Sequence, residues 1–305
     1  MGDGTKQAQS NANGPWGGQA RARRWPVAAA VGMILAAVLA GFWSLRSGSE
    51  DAAARIARTG VVRIGYAVEP PFAFVDAQGR VTGESPEVAR AIWLRLGVER
   101  IEWMQVDFGS LIPHLRAGRI DQIASGLFVR PDRAELVAFT LPSICIEPAL
   151  LVRKGNPLRL HSFKDLAGRE GARLAVLAGA VEGDDAVRAG VPEDRVIAYP
   201  HLDLALKSLR SGLADGLALS SPSIQKLADQ HADMERAVPF HNATLTPACG
   251  AFAFRPADQS LRDRFNPELR GFIGGRAHLE LIEPLGCTRE SLPGPTAATN
   301  KEKTP

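Results

Sequence analysis

Three observations predict an α/β fold for this chain of 305 residues, preceded by one N-terminal membrane-directed segment. From about residue 60 to residue 293, short runs of Val, Ile, Leu and Ala alternate with stretches of helical apolar spacing. Repeated strand–helix units over such a length argue for an α/β architecture with mostly parallel sheets. Hydrophobic residues make up 45 %, an ordinary globular share, and the length is that of about two domains. Ahead of this region stands an apolar run without a charge.

Residues 1–25 lack periodicity and are rich in Gly, Asn, Gln and Ala, so a disordered cytoplasmic tail is expected. Residues 26–44, "PVAAAVGMILAAVLAGFWS", approach the ~20 residues that span a bilayer. Arg21, Arg23 and Arg24 precede the run and only Arg46 follows closely, which places the N-terminus in the cytoplasm and the rest outside. A buried core helix would show a polar face, and this run has none. It reads as a transmembrane anchor or a signal segment. "VLA" ending at Ala40 resembles a cleavage site, but the apolar run exceeds a signal core of ~7–15 residues, so the retained anchor is the expectation. No cysteine follows the run closely, which disfavours a lipoprotein. Residues 45–59 are expected to form a polar linker.

The strand "VVRIGYA" opens the globular part. "SPEVARAIWLRLG" follows as a helix, with Ser85 as N-cap, Pro86 in the first turn and Gly97 as the stop. "SLIPHLRAG" is a short helix and "IDQIASGLF" a strand. "ALLVRKG", "RLAVLAG", "RVIAY" and "GLALS" read as further strands, with the helix "LDLALKSLRSG" before the last. Then come the strand "GAFAFR" and the helices "SLRDRFNPELRGF" and "HLELIEPLG". Pro267 removes a backbone donor and predicts a kink or break in the first of these. Residues 293–305 are expected to be a disordered tail.

Net charge is +3, from 36 basic and 33 acidic side chains, and no long basic patch exists. Nucleic acid is therefore excluded as a partner. Cys145, Cys249 and Cys287 all fall on the exported side, and their spacing fits no metal motif. They read as small buried apolar residues, or as one disulfide plus one thiol in an oxidising compartment, with Cys249–Cys287 the pairing considered. No metal and no cofactor is expected.

In α/β folds ligands bind beyond the carboxyl ends of strands. Arg133, in "SGLFVRPDRAELVAFT", lies just after such a strand, which gives it a site-like address. The alternative is a surface-helix arginine paired with Asp132 or Glu135.

The segments "IGYAVEPPFAFVDAQGRVTGESPEVARAI", "FGSLIPHLRAGRIDQIASGLFVRPDRAELVAFT" and "VRKGNP…SFKDLAG…RLAVLAG" resemble the solute-binding proteins of bacterial amino-acid ABC importers, from about Val61 to Pro293. Within that family the likeness is greatest to ectoine and hydroxyectoine binders. The resemblance implies a two-lobed periplasmic-binding-protein fold, type II-like, with a ligand cleft between the lobes. Lobe one would comprise 60–147 and 247–292, and lobe two 148–246. It implies Arg133 as the grip on a ligand carboxylate, a task suited to a planar two-pronged donor. It also implies Glu69, with Phe72, Phe108 and Phe128 as a cage for a delocalised cation, and backbone contacts at Gly179 and Val181. The other reading of the three phenylalanines is plain core. Polar amino-acid binders carry an acid just after the strand that here is "GLALS", and Ser220 and Ser221 stand there instead, which points away from a standard α-amino acid.

The function implied is an extracytoplasmic protein, monomeric and not an enzyme. It would capture a small zwitterionic compatible solute and deliver it to ABC permease subunits. A polar amino-acid binder is the alternative. An exported cyclohexadienyl dehydratase, with Glu69, Glu182 or His114 as the acid, is the alternative of another class.

Overall fold

A computed structural model describes residues 51–241 and 248–294. The expected tail, anchor and C-terminal tail at 1–44 and 295–305 lie outside the described residues. Among the described residues no helix is long and apolar enough to cross a membrane.

The chain first runs through α1 (Ala52–Thr59), β1 (Val61–Tyr66), β2 (Phe74–Val75), β3 (Val81–Thr82), α2 (Glu84–Arg95) and β4 (Arg100–Gln105). It continues through α3 (Leu111–Arg116), β5 (Gln122–Ile123), α4 (Pro131–Ala134) and β6 (Ala138–Ile146). A second excursion holds β7 (Pro148–Arg153), α5 (Phe163–Gly168), β8 (Leu174–Leu177), α6 (Val181–Arg188) and β9 (Val196–Tyr199). It closes with α7 (Leu202–Ser211), β10 (Gly216–Ser220), α8 (Ser221–Gln230) and β11 (Met234–Arg236). The chain then returns with β12 (Ala248–Phe254), α9 (Gln259–Phe272) and α10 (Arg276–Ile282).

Two five-stranded sheets result, ordered β4-β1-β5-β12-β6 and β11-β7-β10-β8-β9, one per lobe. They are mixed rather than mostly parallel. β1 pairs parallel with β4 and β5, and β8 parallel with β9 and β10, but β12 and β7 are antiparallel to both of their neighbours. The antiparallel strands adjoin the passages between lobes, where the chain enters or leaves a sheet without a helical crossover to reverse it. One passage is a single residue, Glu147, between β6 and β7.

Alternation builds the second lobe. Leu151, Ala175, Leu177, Leu217 and Leu219 pack on one face with α7 and α8, while Leu150, Val152, Leu174, Val176 and Ala218 pack on the other with α5 and α6. A strand buried on both faces has to be apolar throughout, as "ALLV" and "GLAL" are. In the first lobe Val62, Ile64, Trp93, Phe252, Phe254 and Phe265 form the core. Trp93 Nε1 donates to Gln122 Oε1 at 2.7 Å, so its one polar atom is satisfied inside that core.

Several local expectations are corrected. Residues 52–59 of the presumed linker form α1, capped by Asp51 and closed by Gly60 at φ 66. Ala52 and Ile56 are buried, and Arg55 pairs with Asp121. The fully buried Asp121 also takes Arg63 at 2.7 Å. Burial pushes its pKa up, yet the hydrogen bonds from Arg63 and Arg55 win and hold it below the ordinary value. Ser85 lies inside α2, behind Gly83 as N-cap; its hydroxyl bonds Glu84 and accepts from Gly126 N. The expected strand at "IDQIASGLF" shrinks to Gln122–Ile123, with Phe128 making an isolated bridge to Gly250. α9 runs unbroken through Pro267, because Leu261, Phe265, Leu269 and Phe272 anchor it along one buried stripe while Pro267 faces outward.

The disulfide joins Cys145 to Cys249, not Cys249 to Cys287. The two are register partners on the adjacent strands β6 and β12, with Cα atoms 3.9 Å apart. Cys287 is fully buried, and burial pushes its thiol up to about 12. A chain of local spacings does not reveal which strands become neighbours, and that adjacency selects the pair.

Candidate functional site

The carboxyl ends of β1 and β5 and the N-terminal turns of α6 and α8 face one another between the lobes. α4 is a four-residue helix with Pro131 at its start, a position that needs no donor. It turns Arg133 inward, and only 7 % of this residue is exposed. The surface-arginine alternative fails on that point. Asp132 pairs with Arg130 at 2.9 Å instead.

Arg133 Nη1 donates to the carbonyl of Phe128 at 2.9 Å, and Nη2 to the carbonyl of Gly179 at 2.7 Å, across the lobe boundary. Its guanidinium carbon lies 5.7 Å from the centre of the Phe108 ring, within cation–π range. Burial, and then the like charge of Arg130, lower its pKa from the ordinary arginine value.

Gly179 sits at φ +78, and a Cβ there would come 3.1 Å from Gly109 Cα of the other lobe. Glycine is thus required twice over, for the turn and for the close backbone approach. Val181 is buried as the first residue of α6, a helix whose N-cap, Ala180, offers no side-chain bond.

Glu69 enters from the first lobe on the turn after β1. The residue is half-buried, but its carboxylate points inward, where Ser220 Oγ donates to Oε1 at 3.0 Å and Ser223 Oγ to the same atom at 2.8 Å. Burial raises its pKa, opposed by those two serine bonds. Ser223 was not legible as a site residue; its signal is the spacing of three from Ser220, which brings both hydroxyls to one side of the start of α8.

The three phenylalanines separate. Phe108 lines the boundary beside Arg133. Phe72 is 3 % exposed and belongs to a cluster with Ile144, Ile146 and Leu279, against which Phe128 packs. Phe72 is therefore as much core as wall.

Glu182, named from the sequence only as a candidate acid of the dehydratase alternative, is the second residue of α6. It is 4 % exposed. Burial, then the negative charge of Glu69, push its pKa up to about 8.

Beside Phe108 a cavity of about 460 Å³ follows the lobe boundary, lined among others by Pro70, Asp107, His201, Leu206 and Leu227. Its rim is crossed by Asp107 and His201 at 3.0 Å, and elsewhere Arg130 reaches Asp184 at 2.6 Å. Arg133, Glu69, Glu182 and Phe108 offer a buried guanidinium, two carboxyls and an aromatic face, and of these Phe108 alone is shared with that cavity. The set suits a small molecule bearing a carboxylate and a cation. No group of His, Cys, Asp or Glu among the described residues could hold a metal ion.

Residues 62–273 match the model of the bacterial extracellular solute-binding proteins, family 3. The chain is 34 % identical over 282 residues to a probable amino-acid ABC transporter periplasmic-binding protein, y4tE, of Sinorhizobium fredii, covering 90 % of this chain and 91 % of that one. Among solved structures it is similar to EhuB in complex with hydroxyectoine, at 38 % identity and a TM-score of 0.72, over 77 % of this chain and 91 % of that one. It is also similar to the ancestral amino acid-binding protein AncCDT-1, a precursor of cyclohexadienyl dehydratase, at 26 % identity and a TM-score of 0.66, over 76 % and 97 %.

Proposed function

The chain belongs to family 3 of the bacterial extracellular solute-binding proteins, and from that membership we propose that it captures a small zwitterionic compatible solute of the ectoine or hydroxyectoine kind for an ABC importer. The coarser reading, an extracytoplasmic amino-acid-type binding protein that hands a small ligand to permease subunits, follows from the family. The finer one rests on Arg133 beside Phe108 with Glu69 opposite, and on the likeness to EhuB in its hydroxyectoine complex.

In this reading Arg133 holds the carboxylate by two parallel bonds. The aromatic faces of Phe108 and Phe128, with Phe72 behind, and the charge of Glu69 hold the delocalised cation. Gly179 and Val181 contribute backbone from the second lobe. Ser220 and Ser223 are engaged with Glu69, so the place where an acid would meet an α-ammonium is filled by neutral hydroxyls.

The protein works as a monomer, on lobes divided at 60–147 with 247–292 and at 148–246, held to the membrane by residues 26–44. Calorimetry of the purified protein against ectoine, hydroxyectoine, proline betaine and the standard amino acids tests the ligand. Preference for ectoine is expected, and preference for glutamine would replace this reading with that of a polar amino-acid binder. Protease added to spheroplasts should reach Lys154 while cytoplasmic markers stay intact.

One observation favours a second reading. Glu182 keeps its proton near neutral pH across from Arg133, as a general acid acting on a carboxylate substrate would. Incubation with prephenate decides it: no turnover is expected, and product formation would make the protein a dehydratase.

A further inference from the structure

Glu69 and the start of α8 come from different lobes and meet in one bonded cluster. Ser223 Oγ donates to Glu69 Oε1 at 2.8 Å, Ser220 Oγ lies 3.0 Å from the same oxygen, and the two hydroxyls are 2.9 Å apart. Both serines are buried, Ser220 as the last residue of β10 and Ser223 in the first turn of α8. A hydroxyl has one proton, so Ser220 donates either to Glu69 or to Ser223. In both arrangements the two hydroxyls fill the space around Oε1. Among the described residues no donor reaches Oε2, and no cationic side chain pairs with Glu69. Lys226, on the same helix as Ser223, is turned to the Phe74 ring at 4.7 Å.

The cluster borders the cavity at the lobe boundary. Val68 and Pro70, on either side of Glu69, line that cavity, as does Leu227, one turn beyond Ser223 on α8. Phe108 lines it too, with its ring beside the Arg133 guanidinium.

A carboxylate takes a guanidinium by two parallel bonds, one to each oxygen. With Oε1 occupied, Glu69 has one oxygen to give. A cyclic amidinium has N–H groups that diverge, so it presents one at a time and loses nothing by this. A forked guanidinium has to displace a serine, and that leaves a buried hydroxyl without its acceptor.

We propose that Ser220 and Ser223 are specificity-determining residues: from the second lobe they occupy Glu69 Oε1, so that the acid meets the ligand through Oε2 alone, accepting cations that present a single N–H and rejecting forked ones. The inference deepens the reading of Glu69 as the partner of the ligand cation and rests on it.

Calorimetry of the full chain with ectoine and with arginine tests it. The wild-type protein should favour ectoine. In the double variant Ser220→Ala/Ser223→Ala the arginine-to-ectoine affinity ratio should rise about tenfold, as the second bond becomes available. In a Glu69→Gln background, which has no second carboxylate oxygen to offer, the same two substitutions should leave the ratio unmoved. A wild-type preference for arginine, an unchanged ratio in the double variant, or an equal rise in both backgrounds overturns the inference; the last would mean that the substitutions only make room. A carboxyl-carbon NMR titration gives a readout free of ligand: Glu69 should titrate at higher pH in the double variant, because two donors to its ionised form are gone. An unmoved titration overturns the serine contact on its own. If the wild-type protein binds neither ligand while the titration moves, the functional reading falls and takes the specificity with it.

Discussion

Arg133 of the first lobe donates a 2.7 Å hydrogen bond to the carbonyl of Gly179 in the second. One side chain therefore does two things in the proposed mechanism: it grips a carboxylate and it ties the lobes together. In that mechanism closure and affinity would be coupled through it.

Arg133→Ala removes the fork and leaves a desolvated carboxylate unpaired. Losing one partner of such a pair costs ~2–5 kcal/mol, so affinity should fall roughly 30-fold to several thousand-fold. Arg133→Lys should recover only part of it, because an ammonium cannot make two parallel bonds. Calorimetry on both variants measures this; an unchanged Kd for Arg133→Ala would remove the residue from the site.

Phe128→Ala should cost about 1–3 kcal/mol for ectoine, from lost aromatic and apolar contact. Glutamine should lose less, since a compact ammonium prefers a hydrogen-bonded acid. Titrating the variant with both ligands distinguishes a cage from plain core: equal losses would mean that Phe128 only supports the cluster around Phe72.

Mass spectrometry of the unreduced protein should find one linked peptide pair, Cys145 with Cys249, and native alkylation should leave Cys287 unmodified. The bridge closes a sequence separation of 104 residues. Breaking it should lower stability by up to about 3–5 kcal/mol in the chain-entropy account, read as a drop in denaturant midpoint under reductant. A Cys249–Cys287 peptide would contradict the β6–β12 adjacency.

Stability should fall with rising pH because of Glu182. At acid pH both folded and unfolded chains hold its proton; from the ordinary 4.5 up to about 8 only the folded state does, so the unfolded chain binds fewer protons and gains ground. Glu182→Gln should flatten the curve across that window and raise Tm at pH 8 and above. Parallel wild-type and variant curves would refute it.

Much of this protein is written along the chain. Alternating apolar runs announce the strands, because a residue's neighbours two positions away share its face. Arg133 is singled out by its place after a strand and Glu69 by the family resemblance alone; the structure shows Arg133 buried and Glu69 bonded to two serines of the other lobe. Pro267 misled because the expectation weighed one lost hydrogen bond and not the buried stripe Leu261, Phe265 and Leu269 that holds α9 in place. Residues 52–59 misled because a short polar helix is stable only when Ile56 and Arg55 find partners in the folded lobe.

The sequence by itself determined the α/β class, the burial of the strands and the chemistry available at the site, since each of these depends on residue type and near spacing. The tertiary structure alone decided which distant residues meet. Glu69 and Ser223 stand 154 positions apart, Arg133 and Gly179 46, and their contact depends on two lobes closing rather than on any local pattern. The same holds for Glu182. A glutamate near a helix start is ordinarily solvated, and only tertiary packing leaves this one 4 % exposed.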